Sequence, residues 1–268
     1  YRDFLMITKF LDTYALLFAK PLFTKWNKLL FHLSIRGLGI LNYRTENLRG
    51  EKDWIKKYLK GKKNPVIVDI GANVGEYTKD VLKINPSSEV ISIEPHPKTF
   101  LKLTKNIQNE NVTFFNIGIG EKRGKMRLFD YAESDGSSHA TLYEDVIVNF
   151  HKSDAISHEI DVDTLENILV GFPNDIDLLK IDTEGNEFNV LKGAKKLFEF
   201  NKIKAIHFEF NQMNIVSKSS FKDFWDLLNE NFIFYRILPR GRLLPIVEYS
   251  SIDCEIYHYQ NLICINKN

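Results

Sequence analysis

Residues 176–198 read IDLLKIDTEGNEFNVLKGAKKLF, and the pattern of this stretch changes partway along it. It starts as an apolar run with the length of a buried strand and continues with the apolar spacing of a helix. Three carboxylates stand where the two parts meet, at Asp182, Glu184 and Glu187. The dipole of a helix favours acids in its first turn, which is sufficient to account for Glu187. Asp182 directly follows the strand, where ligands of parallel sheets bind, so we expect it to have a functional role.

Segments typical of strands and of helices alternate from residue 64 to the end of the chain. The strand candidates are PVIVDIG (65–71), EVISIEP (89–95), VTFFNIGIG (112–120), IDLLKID (176–182), KAIHFEF (204–210), FIFYRIL (232–238) and NLICIN (261–266). These runs are apolar throughout, as expected of strands covered on both faces. The alternation predicts an α/β fold with a mostly parallel seven-stranded sheet and helices on both faces.

Two segments depart from this alternation. Residues 121–163 contain KMRLFD, a polar stretch and HEIDV, which predict an inserted hairpin with a long loop. A loop of this length is usually functional, and we expect it on the side of the binding site where an acceptor substrate would lie. Residues 1–49 have apolar residues at helical spacing with a break at Pro21, which predicts an N-terminal extension of two helices. The main domain is therefore expected to cover residues 50–268.

The composition is that of an ordinary globular protein. The chain has 268 residues, of which 44% are hydrophobic and 26% charged, with a net charge of +1. A near-neutral chain has no overall field for gripping nucleic acid, so we predict no nucleic-acid partner. Cys254 and Cys264 lack CxxC spacing, which is typical of a reducing compartment and predicts a cytoplasmic protein.

The basic residues are unevenly distributed along the chain. Residues 1–40 hold six Lys or Arg against two Asp, in company with aromatic residues. Packing of this extension onto the main domain is one interpretation of its apolar stripe. Contact with a membrane surface, which would make the protein peripheral, and pairing of two subunits into a homodimer are the alternatives.

The turn after the first predicted strand, VDIGANVGEYT, carries Gly71 and Gly75. Glycine there lets the backbone approach a ligand, with a helix N-terminus behind it. The dinucleotide fingerprint requires a third glycine at the position of Asn73, so pyrophosphate binding is poorly supported. Asp69 adds negative charge at the turn, which suits a ligand with an ammonium group and a positive centre.

Glu94 ends the second predicted strand, where a carboxylate can accept hydrogen bonds from two ribose hydroxyls. Asn116 and Ile117 follow the third strand and could line an adenine. In this order and at these strands, the residues match S-adenosylmethionine (SAM) better than NAD.

Together, VIVDIGANVGEYT, ISIEPHP and DLLKIDTEGNEFNVLKGAKKLF resemble the FkbM family of class I SAM-dependent methyltransferases, with a Rossmann-like fold. The resemblance extends from about residue 50 to the C-terminus, and the segment 177–193 is its most specific part. It implies O-methylation, often of sugar hydroxyls in polysaccharides, glycolipids or other natural products. A saccharide acceptor is the partner that it implies, in a glycan, a glycolipid or a nucleotide sugar.

The resemblance also implies roles for individual residues. It puts Asp69, Gly71 and Glu94 at the cofactor, and Asp182 and Glu184 at the reaction centre. A non-sugar natural product as the acceptor and a non-catalytic SAM-binding protein remain the alternatives.

Methylation of a sugar hydroxyl needs help at the acceptor, because the hydroxyl is a poor nucleophile until it loses its proton. A general base contributes typically 10²–10⁴-fold. The candidates are Asp182, His207 and His139, the last in a polar loop. Since strand residues two apart share a face, His207 and Glu209 should converge with Asp182 if their strands are neighbours. Alternatively, Asp182, Glu184 and Glu209 could bind Mg²⁺, which would lower the pKa of the acceptor hydroxyl.

Overall fold

The computed structural model describes residues 2–40, 50–137, 139–172 and 175–268. Its first helices are α1 (Arg2–Phe18) and α2 (Thr24–Gly37), separated by a 3-10 turn at Pro21–Phe23. The helix break falls beside Pro21 as the sequence predicts, because proline has no amide hydrogen to continue a helix. The proposed domain boundary at residue 49 falls in a segment outside the described residues. Within the described ranges, no helix combines the length and the apolar character needed to cross a membrane.

Most of the strands belong to one large sheet. The strands are β1 (Val66–Ile70), β2 (Glu89–Ile93), β3 (Val112–Phe115), β4 (Gly118–Ile119), β5 (Gly124–Tyr131), β6 (Ala155–Asp163), β7 (Leu178–Ile181), β8 (Ala205–Phe210), β9 (Phe232–Leu238), β10 (Arg242–Ile246) and β11 (Gln260–Asn266). The main sheet has the order β10-β9-β11-β8-β7-β1-β2-β3. Strands β1, β2, β3, β7 and β8 run parallel, and β11 is antiparallel to β8 and β9. The predicted α/β fold with a mostly parallel sheet is confirmed.

The main sheet has eight strands rather than the predicted seven. The additional strand, β10, pairs antiparallel with β9 at the edge of the sheet. Its sequence, RLLPI, contains Pro245, which cannot donate a ladder hydrogen bond and is tolerated at an edge. Because a proline and a flanking arginine interrupt its apolar pattern, this strand was not predicted from the sequence.

Helices cover both faces of the main sheet. After α2 they are α3 (Glu51–Tyr58), α4 (Glu76–Ile84), α5 (Pro97–Asn106), α6 (Leu165–Ile168), α7 (Glu187–Lys192), α8 (Lys195–Glu199), α9 (Met213–Val216), α10 (Phe221–Leu228) and α11 (Ser251–Cys254). Neighbouring residues of β1 enter different cores: Ile67 packs with α3, α4 and α5, and Val68 packs with α7, α8 and α10. This alternation is why β1 is apolar along its length.

The helical part of the stretch 176–198 is not one helix but two short ones, α7 and α8. They meet at Gly193, where a Cβ atom would lie 2.1 Å from the carbonyl oxygen of Gly120. The chain therefore needs glycine there to let two backbone segments approach closely.

The segment 121–163 forms a hairpin beside the main sheet. Strands β5 and β6 pair antiparallel, and β4 adds to β6 to make a three-stranded sheet. The chain between β5 and β6 includes a π-helix at Val146–Phe150. Part of it returns to the hairpin, because Phe129 and Thr141 exchange both backbone hydrogen bonds. The hairpin and this loop together are called the insert below.

Candidate active site

A cleft opens at the carboxyl ends of β1, β2 and β7, beside the insert. It contains about 570 Å³ of space between the surrounding protein atoms, open solvent included. The strand ends contribute Gly71, Glu94 and Asp182 to its lining, and the insert contributes an apolar wall that includes Leu128 and Ile160. A second groove lies at the opposite edge of the sheet, away from the positions where parallel strands present ligands.

One end of the cleft, the turn end, is built by the glycine turn and Glu94. Gly71 has a φ of +77°, and a Cβ there would lie 1.8 Å from the carbonyl oxygen of Asp182, so no other residue fits. The backbone N–H groups of Asn73 and His96 each donate to a different oxygen of Glu94, both at 2.9 Å. Burial raises the pKa of Glu94 to about 7.

Other residues predicted at this end differ in what they face. Ile117 lines the cleft. Asn116 instead braces the backbone, since its side-chain amide donates to the carbonyl oxygens of Glu94 and Pro95 at 2.8 and 3.0 Å. At Gly75, a Cβ would lie 2.4 Å from Ile107 Cδ1, so this glycine allows α4 to pack against α5.

Asp69 lies behind the cleft rather than in its lining. Its side chain is buried, and Thr78 Oγ1 donates to its carboxylate at 2.7 Å. Burial raises the pKa of Asp69 to about 6. Asp69 therefore supports the glycine turn from beneath it.

The other end of the cleft, the lysine end, is organised by strand register. Asp69, Lys180 and His207 are paired across β1, β7 and β8, so their side chains share one face of the sheet. Two residues further along on the same face stand Asp182, directly after the end of β7, and Glu209 of β8. The strand of His207 and Glu209 thus adjoins the strand that leads to Asp182, which brings these residues together.

Lys180 is the residue that sequence reasoning missed. It is 3% exposed, and its Nζ lies 3.1 Å from Asp182 Oδ2 without the geometry of a hydrogen bond. Burial acts to lower the pKa of Lys180, but the carboxylates around it, Asp182 and Glu209 foremost, raise it above its usual range. A charged residue inside the buried run LLKI was the signal, since a buried lysine requires partners.

His207 is fully buried and both of its ring nitrogens have polar neighbours. Nε2 lies 3.0 Å from Asn261 Oδ1, which only accepts, so Nε2 carries the proton. Nδ1 lies 3.4 Å from the hydroxyl of Tyr77 and 3.7 Å from Glu51 Oε1. Burial lowers the pKa of His207 well below its usual range and keeps the ring neutral. Its position supports the site but gives it no direct access to the cleft.

Glu209 is half-buried, and the hydroxyl of Tyr259 donates to its carboxylate. Burial and then the charge of Asp182 raise the pKa of Glu209 well above its usual range. Glu209 is therefore part of the floor beneath Asp182 and Lys180.

A histidine of the insert contacts an acid of the turn that follows β7, which has the sequence DTEG (182–185) and is called the DTEG turn below. His139 Nδ1 lies 3.1 Å from Glu184 Oε1, and the side chain of His139 is 49% exposed. Thr141 Oγ1 donates to the carbonyl oxygen of Glu184 at 2.8 Å, which ties the insert to this turn. The bond to Glu184 raises the pKa of His139.

Glu187 stands in the first turn of α7, as expected, but it is buried rather than solvated. One of its oxygens accepts from the N–H and hydroxyl of Thr183, at 2.9 and 3.1 Å, and from the N–H of Gly185 at 3.1 Å. Burial raises the pKa of Glu187 to about 7. Glu187 therefore holds the DTEG turn that presents Asp182 and Glu184.

The predicted Mg²⁺ ligands, Asp182, Glu184 and Glu209, do not form a compact donor set. Among the described residues, the group of three whose ligand atoms all lie within 4.8 Å of one another is a different one, formed by His96, Asp135 and His158. The acids at the cleft therefore offer a charged surface rather than a ready coordination site.

The His96–Asp135–His158 group is a hydrogen-bonded clasp for the insert. Nε2 of each histidine lies 2.8 Å from Asp135 Oδ1, and the ammonium of Lys98 lies 2.6 Å from Oδ2. His96 Nδ1 accepts from the N–H of Thr99, so the proton of this ring stands on the nitrogen that faces Asp135. The clasp fastens the loop of the insert to the start of α5.

The family model and the relatives that match this chain are described as methyltransferases. The family model described as the methyltransferase FkbM domain matches residues 69–234. The chain is 32% identical over 144 residues to Methyltransferase 1 of Beauveria bassiana, an alignment that covers 47% of this chain and 57% of the relative. It is 27% identical over 154 residues to hexuronic acid methyltransferase AglP of Haloferax volcanii, with 56% and 59% covered.

A further relative is 2-O-methyltransferase NoeI of Sinorhizobium fredii, 24% identical over 194 residues, with 67% and 77% covered. The chain thus spans less than two thirds of the length of the other two relatives. Among solved structures, the plantazolicin methyltransferase BpumL in complex with SAH matches with a TM-score of 0.44 and 10% identity, over 98% of this chain and 100% of that one.

Proposed function

This chain belongs to the FkbM methyltransferase family, and we propose that it is a SAM-dependent O-methyltransferase acting on a sugar hydroxyl. Two of its relatives are named as a hexuronic acid methyltransferase and a 2-O-methyltransferase, which favours a saccharide acceptor. The observation that carries the proposal is the His139–Glu184 pair beside the cleft, next to the ion pair of Lys180 and Asp182.

The turn end of the cleft fits SAM. Each oxygen of Glu94 accepts one backbone hydrogen bond and so keeps a lone pair for a ribose hydroxyl. Ile117, Leu128 and Ile160 offer an apolar wall for adenine. When bound, SAM supplies a methyl group on a positively charged sulfur, and Asp182 lines the same cleft with a carboxylate.

His139 acts as the general base. Nδ1 faces Glu184, which leaves Nε2 to accept the proton of the sugar hydroxyl. Glu184 orients the ring and stabilises the imidazolium that forms, as a carboxylate does for a catalytic histidine. The raised pKa makes His139 a stronger base than a free histidine.

Asp182 and Lys180 position the acceptor. The carboxylate of Asp182 is 39% exposed in the cleft, where it can accept a hydrogen bond from a sugar hydroxyl. The buried ammonium of Lys180, 3.1 Å from Oδ2, holds this carboxylate in place from the side away from the cleft. Such fixed contacts hold the reacting oxygen in line with the methyl group.

Transfer of radiolabelled methyl from SAM tests the proposal. The protein is incubated with separate glycan, glycolipid, nucleic-acid and protein fractions, and His139→Asn is compared with His258→Asn, a change at an exposed histidine elsewhere. Label in a saccharide fraction that is lost with His139→Asn alone supports the proposal. Label in protein or nucleic acid overturns the acceptor, and SAM binding without any transfer favours the non-catalytic alternative.

A further inference from the structure

We propose that α1 and α2 dock on the surface of an anionic phospholipid membrane and hold the cleft towards a saccharide carried by a lipid. The second part rests on the proposed function, whereas membrane docking stands independently of it.

The apolar side chains of these two helices face outward. Of the 24 large hydrophobic residues exposed in the described chain, 12 lie between residues 6 and 33. They include Leu16 and Leu22, which are 78% and 86% exposed, and the aromatic residues Phe10, Trp26 and Phe31. An apolar surface of this density on a protein marks an interaction site.

Few of the apolar residues are used to hold the two helices together. The hydroxyl of Tyr14 donates to Asn27 Oδ1 at 2.6 Å, and Asn27 Nδ2 donates to the carbonyl oxygen of Phe18 at 2.9 Å. The ring of Phe18 contacts those of Tyr14 and Phe23 at centroid distances of 4.9 and 5.1 Å. These contacts join α1 and α2 near the turn between them, and most of the other apolar side chains of the two helices remain exposed. In this subsection, "the hairpin" means α1, α2 and the turn between them.

The positive charge of the hairpin favours an anionic lipid surface over a second copy of the chain as its binding partner. Residues 1–40 carry six Lys or Arg against two Asp, although the whole chain has a net charge of only +1. A second copy of the hairpin would set one excess of positive charge against another, which opposes pairing through this face. An anionic lipid surface complements it, since such a surface attracts basic residues that lie close to it.

The hairpin is rooted at the edge of the sheet that carries the cleft. Ile35 and Ile40 are buried, and a Cβ on Gly39 would lie 3.0 Å from the carbonyl oxygen of Ile237 and 3.1 Å from Leu238. Because β11 is antiparallel to both neighbours, β9 points the same way as β8, and Leu238 lies at the carboxyl edge. This root is three strand spacings from β7, or roughly 14 Å.

Flotation of the full chain with lipid vesicles tests docking without SAM or acceptor. We expect binding to vesicles of equal parts phosphatidylcholine and phosphatidylglycerol, and at least about tenfold weaker binding to phosphatidylcholine alone. Leu16→Ser/Leu17→Ser/Phe31→Ser should abolish binding, whereas Val247→Ser/Ile252→Ser, which changes apolar residues exposed elsewhere, should preserve it.

The charge contribution has its own pair of variants. Lys25→Glu/Lys28→Glu should weaken binding to the anionic vesicles at least about tenfold, and Lys83→Glu/Lys105→Glu, with the same change of net charge, should not. Equal binding to both vesicle types, or no binding, overturns docking on anionic lipid. A concentration-dependent dimer that the triple serine variant dissolves would identify a second copy as the occupant and also overturn it.

The orientation of the cleft is tested separately. Methyl transfer to a saccharide anchored in anionic vesicles should fall at least about tenfold in the triple serine variant, while transfer to the same free saccharide should be unchanged. An equal rate with both acceptors overturns the presentation of a lipid-borne acceptor. Vesicle binding in a protein that transfers no methyl group overturns the proposed function and leaves docking intact.

Discussion

The two ends of the cleft are built in different ways. At the turn end, the central contacts lie within one stretch of chain, residues 71–96, where two backbone N–H groups donate to Glu94. The lysine end assembles side chains from α3, β7, β8 and β11, and its contacts join charged and polar groups, such as Lys180 with Asp182 and His207 with Asn261.

We therefore expect changes at the turn end to alter the affinity for SAM, and changes at the lysine end to alter the rate of methyl transfer. Backbone amides hold the same geometry whatever their neighbours, so the turn end should act mainly on cofactor binding. The lysine end and the His139–Glu184 pair depend on protonation and on distant parts of the chain, so they should act on rate, pH dependence and stability.

The largest effect should follow the loss of the base. His139→Asn should lower kcat by about 10²–10⁴-fold, because asparagine cannot take the proton of the acceptor. The dissociation constant of SAM should be unchanged, which calorimetry can measure beside the kinetics. Equal losses of affinity and rate would mean that the two ends are not separable in this way.

The next effect concerns the buried cation. Lys180→Met should lower the free energy of unfolding by about 3 kcal/mol at pH 7, because it leaves several carboxylates without their counter-charge. The loss should be smaller at pH 5, where protonation neutralises part of the cluster. Denaturant unfolding at both pH values measures this.

Lys83→Met, at an exposed lysine of α4, is the control and should have little effect. A loss for Lys180→Met that is equal at the two pH values would point to packing rather than charge.

At the turn end, Glu94→Gln should weaken SAM binding at least about tenfold, because an amide cannot accept from both backbone N–H groups and two hydroxyls. In the wild type the affinity should fall as pH drops through about 7, where Glu94 takes up a proton, and the variant should lose this dependence. Glu89→Gln, at the exposed start of the same strand, is the matched control. An unchanged dissociation constant would remove Glu94 from the cofactor site.

The smallest effect should be a displacement of the pH profile. A general base works when unprotonated, so kcat/KM should rise as pH passes the pKa of His139, which the bond to Glu184 raises. Glu184→Gln removes that cause, so the pKa should fall and the rising limb should move to lower pH. The normalised profiles of wild type and variant measure the displacement; superimposable profiles would assign the limb to another group.

Much of the fold follows from local pattern. Seven strands of the main sheet are apolar runs separated by helical segments, and Pro21 prevents one continuous helix across residues 2–37. Pattern reading failed at β10, where Pro245 interrupts the run and only pairing with β9 makes a strand. It also joined α7 to α8, because the contact of Gly193 with Gly120 spans distant parts of the chain.

The residues of the candidate site also differ in whether the local sequence was enough to identify them. Gly71 and Glu94 could be identified because each stands in a short local motif, a glycine directly after a strand and an acid at the end of the next strand. Asp69, Gly75 and Asn116 stand in the same motifs, yet tertiary packing turns them away from the cleft.

The sequence by itself determined the alternation of strands and helices, the glycine turn and the acids after the strands, because propensity, periodicity and backbone sterics act over a few residues. The tertiary structure alone decided that Lys180 is buried, that His207 is enclosed, and that His139 meets Glu184. The contacts of His139 with Glu184 and of His207 with Asn261 join residues 45 and 54 positions apart, so the fold of the insert and cross-strand pairing set them. Burial then sets their pKa values, and burial is a property of the folded molecule.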